Sequence, residues 1–344
     1  MVIKKECVTR KFPLTVQGEA IPIIVDNPIK CLGKCFDASL KDKEAATKLK
    51  EQVDQGLKKI DGTLLPGKFK VWMYQHSLLP RLIWPLMLYE LPTTAVEGLE
   101  RVISKHLRRW LGLPPSFTGL GLYTSAGKLQ LPISSLVEEF KVAKARLLLT
   151  LKGSPDECIS NAGIELRTGR KWSVSQAVEA AQSRLVHQDI VGTTNTGRQG
   201  LGMQSRESWS TAETRTRRTM IQQEIRKEEE ETRSAQMIQM GMQGRSTRWP
   251  VPERQLTWTQ MWHLEPVRIS FLLRSVYDML PTPANLHRWK LIEDTACPLC
   301  GKRGTLDHIL TSSCYVALSR GRNRCRHDRV LGHLARNIVQ EMRN

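Results

Sequence analysis

The sequence predicts a mainly α protein: a small N-terminal β-hairpin region, a helical bundle, a long linker helix and a small C-terminal helical unit built on a Cys/His knuckle. Three observations predict it. Apolar residues recur at helical spacing through most of residues 42–152. Alternating apolar runs, broken by Gly, Pro and Asn, occur only before residue 42. Near the C-terminus, Cys and His take a metal-ligand spacing between short helical segments.

Taken in order, Phe12–Val16, a turn at Gly18-Glu19 and Ile21–Val25 predict a hairpin. Asp26-Asn27-Pro28 makes a second turn, and Ile29–Phe36 a further short strand pair. So few strands need something else to lean on, so residues 1–41 read as the tail of a larger sheet. From Asp42, placed to cap, a helix runs to about Ile60 with Leu49, Val53, Leu57 and Ile60 on one face. Gly67–Tyr89 is apolar but proline-interrupted, which predicts two short helices or one kinked one. A helix from about Thr94 to Trp110 puts Val96, Leu99, Ile103, His106, Leu107 and Trp110 on one side. Arg101, Lys105 and Arg108 fall on the other, with Arg109 beside them, and no acid occurs between Arg101 and Val137.

A Pro/Gly-rich connector (residues 112–132) leads to an amphipathic helix over Ser134–Lys152. Residues 42–152 form one helical unit. Ser154-Pro-Asp-Glu157 is a helix start, and the loops Gly169–Trp172 and Gly197–Gly202 flank another helix. Trp209 to about Met242 is long and polar, with an acidic block at Glu228–Glu231, and reads as a solvated strut closing a connector over 153–248. A second compact unit spans 249–344.

Lys and Arg number 52 against 34 Asp and Glu, a formal charge of +18, which points to a polyanionic partner. No apolar run approaches the ~18 residues of a membrane span: the nearest, Leu78–Leu91, is cut by Pro80, Arg81, Pro85 and Glu90. The N-terminus lacks the apolar core of a signal peptide. Eight cysteines over this length make no disulfide scaffold. No Asp-Asp dipeptide offers paired aspartates for two-metal polymerase chemistry, no phosphate-cradling Gly-rich loop is present, and no nucleophile triad assembles. The reading is therefore of a binding protein with no small-molecule substrate, not an enzyme on its own.

Cys297-Pro-Leu-Cys300, His308 and Cys314 give C-x2-C-x7-H-x5-C. Two thiolates on a tight turn, with an imidazole and a third thiolate on the following helix, can complete a closed structural Zn2+ shell. Beyond it, Arg320, Arg322, Arg324 and Arg326 give either a rigid cationic surface for phosphates or a solvated helix face. Cys325 is spaced wrongly for the same zinc, while Cys7, Cys31, Cys35 and Cys158 read as small packed hydrophobes. His187 and His263 read as ordinary residues. Trp110, Trp172 and Trp289 read as core more than as base-stacking platforms.

Several motifs in succession carry a resemblance: Ile29-Lys-Cys-Leu-Gly-Lys34, Trp72–Trp84, Leu107-Arg-Arg-Trp-Leu-Gly-Leu-Pro114, Leu122-Tyr123, Leu129–Pro132, Gly169–Trp172, Tyr277–Leu286 and the Cys/His knuckle. Their order resembles the downstream half of non-LTR retrotransposon reverse transcriptases of the restriction-like-endonuclease type. The resemblance implies that residues before Asp42 are a palm tail, with Lys30 and Gly33 in a primer-grip turn. It implies that 42–152 are a thumb holding template–primer duplex through Arg101, Lys105, Arg108 and Arg109. Arg170 and Lys171 would add contacts, and the knuckle would lie near RNA and target DNA, in the nucleus. The polymerase aspartates would precede this stretch and the endonuclease carboxylates follow it. The family's knuckle has H-x4-C; the x5 here turns the last thiol ~100° if both ligands share a helix. Two other classes remain: a domesticated zinc-finger DNA-binding regulator, and a scaffold whose Glu-rich helix docks a partner.

Overall fold

The computed structural model describes residues 3–4, 7–8, 15–20, 29–31, 34–36, 42, 44–196, 209–310, 313–322 and 324–341. The protein is mainly α. Three two-residue or three-residue antiparallel pairs stand at the front: β1 (Ile3–Lys4) with β2 (Cys7–Val8), β3 (Thr15–Val16) with β4 (Glu19–Ala20), and β5 (Ile29–Cys31) with β6 (Lys34–Phe36). Gln17 and Gly18 both take positive φ between β3 and β4, the conformation that a two-residue hairpin turn demands.

Helix α1 (Ala45–Asp61) buries Leu49, Val53, Leu57 and Ile60, the predicted face. Asp42 does not cap it with its side chain. Its carboxylate accepts from Lys34 Nζ at 3.1 Å and from the Glu90 amide at 2.7 Å, so it ties β6 to the chain beyond the third helix. The proline-rich stretch is continuous: α2 (Gly67–Met73) passes through a π turn, Tyr74–Leu78, into α3 (Leu79–Leu88). The π turn places Pro80 near the start of a new helical register, where a missing donor costs little. Gly67 is forced by contact, because a Cβ there would stand 1.7 Å from the Trp110 carbonyl oxygen.

Helix α4 (Thr93–Trp110) buries Val96, Leu99, Ile103, Leu107 and Trp110 against α1 and α2. Helix α5 (Leu136–Lys152), capped by Ser135, packs on α3 and α4 and on two later helices, so buried residues surround much of it. Short α6 (Glu157–Ser160) follows, capped by Asp156. Then come α7 (Val174–Thr196) and α8 (Thr214–Gln239).

Helix α8 corrects the strut reading. It packs along α5 and α7, burying Ile221, Ile225 and Met237. Its charges meet charges: Arg226 donates to Glu138 (2.7 Å) and Glu139 (2.8 Å), and Arg233 pairs with Glu138 and with Glu230. Lys141 reaches Glu229 at 2.5 Å, and Arg184 reaches Glu224 (2.9 Å) and Glu228 (2.7 Å). Glu230 also accepts from the Thr124 hydroxyl and the Ser125 amide, which hold its carboxyl below the ordinary value although burial opposes them. Of the acidic block, Glu229 and Glu230 turn into the helix layer, Glu228 is half-exposed on Arg184, and Glu231 stays exposed.

The remaining helices are α9 (Trp258–His263), α10 (Pro266–Val276), α11 (Pro283–Arg288), α12 (Leu306–Leu310), α13 (Tyr315–Ser319) and α14 (Arg324–Glu341). One hydrophobic core runs from α1 to Met279, taking in Met237, Leu256, Met261, Ile269, Leu273 and Tyr277. A parallel pair, β7 (Leu129–Gln130) with β8 (Arg254–Gln255), crosses the same junction. The expected boundary at 248–249 is thus no break in packing. A second core joins Val142, Ala145 and Leu148 of α5 to α7 and α8. No helix among the described residues is long and apolar enough to cross a membrane.

Candidate metal centre and cationic surfaces

The knuckle stands on a rigid platform. After α10 the chain turns at Asp278, a non-glycine residue at φ 51°. Buried Asn285 holds the turn by donating to the carbonyls of Asp278 (2.9 Å) and Leu280 (2.8 Å). Thr282 caps α11, with Pro283 at its first position. The Ala284 amide donates to the Gly304 carbonyl at 3.1 Å, and a Cβ at Gly304 would meet Pro283 at 2.8 Å, so the knuckle sits flush on this turn.

Within the knuckle, Cys297-Pro-Leu-Cys300 closes a tight loop. The Gly301 amide donates to the Cys297 carbonyl (2.9 Å), Gly301 takes φ 72°, and Ala296 bridges to Arg303. Cys297, Cys300, His308 and Cys314 bring their ligand atoms within 4.8 Å of one another, and Cys300 Sγ lies 3.2 Å from His308 Nε2. The edges of a tetrahedral thiolate–imidazole shell are roughly 3.5–3.8 Å, so a bound ion would draw these atoms together by up to about 1 Å. The group can hold a metal ion. Three of the four ligands are buried, and four protein ligands leave no open position for water, so such an ion serves structure. The Leu299 amide, aimed at Cys297 Sγ, leads the effects that bring that thiol down to about 6, while burial pushes the Cys300 thiol up.

The two ligands spaced x5 apart stand on separate short helical elements. His308 lies on α12, assigned over Leu306–Leu310, whereas Cys314 is the N-cap of α13. The two ligands do not share one helix, contrary to the expectation of a single following helix, so the added residue does not rotate Cys314 away. Arg245 fastens the knuckle to the body, with Nη2 donating to Asp307 at 2.7 Å and Nη1 to Asp278 at 3.4 Å. It lies so far from its partners in sequence that no local pattern marks it.

The predicted cations divide into exposed and engaged. Arg101 and Lys105 are exposed on α4, and among the described residues Arg101 bonds only the Glu97 carbonyl of its own helix. Arg108 turns inward and donates to the Phe117 carbonyl at 2.8 Å. Arg109 pairs with Asp61, which also binds Trp110 Nε1 (2.6 Å) and His106 (3.0 Å). Burial works against the Asp61 carboxylate, but the Arg109 and Trp110 bonds outweigh it and its pKa is lowered. His106 is pushed down by burial. Arg109 therefore also closes the α1–α4 seam.

Arg170 is exposed, while Lys171 meets Glu97 at 2.5 Å, binding its loop to α4. Lys30 is exposed on β5; Gly33 lies outside the described residues. Arg320, Arg322 and Arg324 are exposed, and the Arg326 side chain lies outside the described set. Cys158 and Cys31 are exposed, not packed, and the Cys7, Cys35 and Cys325 side chains lie outside the described set. Trp110 is core; Trp172 and Trp289 pack against the main core partly buried. No protein-family model and no curated protein matches this chain.

Proposed function

We propose that this protein grips nucleic acid, with Zn2+ closing the knuckle, as the thumb, connector and knuckle portion of a non-LTR retrotransposon reverse transcriptase of the restriction-like-endonuclease type. One observation carries the reading: a chain of formal charge +18 keeps cations exposed on α4 and just beyond a four-ligand metal cluster. Three thiolates and one imidazole are the donor set of structural zinc sites. Arg101, Lys105, Arg170, Arg320, Arg322 and Arg324 project from formed elements or ordered loops, which suits them to phosphates. The contacts are to backbone and not to base edges, so affinity exceeds sequence preference. RNA and DNA are the partners, the nucleus is the place of action, and neither polymerase nor endonuclease chemistry lies within these residues.

Fluorescence anisotropy across a salt series tests this, with a recessed primer–template, a plain duplex and a single strand as probes. Binding falls steeply with salt, and the primer–template binds best. Replacing Arg101 and Lys105 with Gln lowers the slope of log K against log salt by about 0.9 for each duplex phosphate that is no longer neutralised. A wild-type protein that binds none of the probes at low salt ends the proposal. Equal affinity for primer–template and duplex favours the DNA-binding regulator over the thumb.

A further inference from the structure

Beside the knuckle lies a cavity of about 210 Å3 whose lining includes Arg245, Asp278, Asn285, Arg288, Arg303 and Thr305. Three guanidiniums meet one carboxylate there. Asp278 and Asn285 are buried and fixed by the turn that carries the knuckle. Asn285 Oδ1 accepts from Arg288 Nη1 at 2.9 Å, so a buried amide aims that guanidinium. Arg245 is held by Asp278 and Asp307. Among the described residues, Arg303 has no side-chain hydrogen bond or ion pair, and Arg288 has no carboxylate partner. Two cationic forks are thus left uncompensated at a small, walled recess.

We infer that this cavity binds a backbone phosphate of a single-stranded nucleic-acid segment, with Arg288 and Arg303 as the donors and Arg245, Asp278 and Asn285 as positioning residues. The inference rests on the nucleic-acid reading above and adds a defined contact point to it. A planar guanidinium offers paired donors that match phosphate oxygens, and two of them meet one phosphate from different sides. A recess of this size takes a phosphate with part of its sugar but no base pair, which selects a strand that can bend its backbone inward. Asn285 also ties the site to the turn beneath the metal cluster, so the loop bearing Arg303 and the helix bearing Arg288 keep their spacing only while the knuckle is folded.

The test uses the full chain loaded with zinc and a labelled single-stranded oligodeoxynucleotide, read by anisotropy over a salt series. Arg303→Gln and the Arg288→Gln/Arg303→Gln pair are compared with Arg248→Gln/Arg254→Gln, a control pair of exposed arginines outside the cavity. The cavity pair lowers the salt slope by about 0.7, the value of one single-strand phosphate, and weakens binding about tenfold at physiological salt. Arg288→Lys/Arg303→Lys keeps the slope and loses about threefold, because charge remains but the paired donors do not. Zinc content and melting temperature confirm that each variant is folded. If the double variant sheds zinc, Arg303→Gln alone decides, since its side chain holds nothing in the fold. Equal losses from the control pair, or a cavity pair that binds like wild type, would overturn the inference while leaving the general nucleic-acid reading intact. Inorganic phosphate at fixed ionic strength is the second probe. If it raises the melting temperature of the wild type but not of the cavity pair, while strand binding is unchanged between them, the site belongs to free phosphate and the strand inference fails. A wild type that binds no strand at all removes the proposed function itself.

Discussion

Lys144 gives the sharpest quantitative prediction. It lies at the centre of α5, 1% exposed, with Nζ donating to the carbonyls of Met87 and Tyr89 at 2.8 Å each. Those carbonyls lie at and just beyond the end of α3, where the helix leaves acceptors unpaired. Burial pulls the pKa of the ammonium down to about 8 from its ordinary 10.5, against the favourable fields of Glu90 and Asp42. Because the folded value is the lower one, the unfolded chain binds more protons between pH 8 and 10.5, and stability from this group rises with pH across that window. Integrating between pH 7 and pH 10 gives a rise of about 2–3 kcal/mol. Lys144→Met removes the group, so urea-unfolding free energies measured at half-unit steps should show the difference, wild type minus variant, climbing by that amount. The variant's absolute stability at pH 7 is not the readout, since it trades a desolvated charge for two unpaired carbonyls. A difference that stays flat within about 0.5 kcal/mol, a fifth or so of the expected rise, would refute the reasoning.

The other predictions concern the knuckle and the α5–α8 seam. Cys300→Ala, or a strong chelator, should release about one zinc per chain and loosen residues after about 290, leaving the bundle folded because the main core ends at Met279. Metal analysis with limited proteolysis reads this, and cleavage throughout α1–α5 would contradict it. Arg233→Met strips a half-buried partner from Glu138 and Glu230 and should cost about 2 kcal/mol of unfolding free energy, below the cost of a fully buried pair. Adding Glu138→Gln should recover part of that loss, and a single-variant cost below about 1 kcal/mol would mean that the seam contributes little.

What the sequence made legible was what short-range pattern encodes. The buried stripe of α4 and the face of α1 follow from helical period alone, and three thiols with a histidine within eighteen residues are close enough for spacing to bring them together. What it hid was long-range pairing of polar groups. Helix α8 reads as solvated because hydropathy counts Arg226, Arg233 and Glu230 as surface, yet their partners Glu138, Glu139 and Thr124 stand 87 or more residues upstream. Asp42 has every local qualification of a cap and is used elsewhere, because Lys34 and the Glu90 amide offer it a better-placed set of donors. Arg245 and the three-arginine cavity belong to the same class: each member is unremarkable in its own neighbourhood. Spacing marks Cys314 as a ligand without giving its setting, at the N-cap of α13 and not on the helix that carries His308.

That division bears on how the excess charge is presented. Glu138, Glu139, Glu224, Glu228, Glu229 and Glu230 are largely spent on Arg184, Arg226, Arg233 and Lys141 inside the α5–α7–α8 layer. A seam in which carboxylates match or outnumber their cations is locally neutral or acidic, so the formal +18 must be carried by the rest of the molecule. The acid-free stretch after Arg101, the knuckle with Arg288 and Arg303, and the arginines from Arg320 onward are where that surplus stands. Pairing at the seam thus raises the contrast between a quiet helical layer and a cationic remainder. Under the proposed function, a polyanion would be steered toward the α4 face and the knuckle, where that surplus is exposed. Loosening the seam would free acids to compete for those same cations, so, if the proposed function holds, Arg233→Met should weaken nucleic-acid binding in the same anisotropy assay although Arg233 is not among the residues proposed to contact phosphate; unchanged affinity would contradict this.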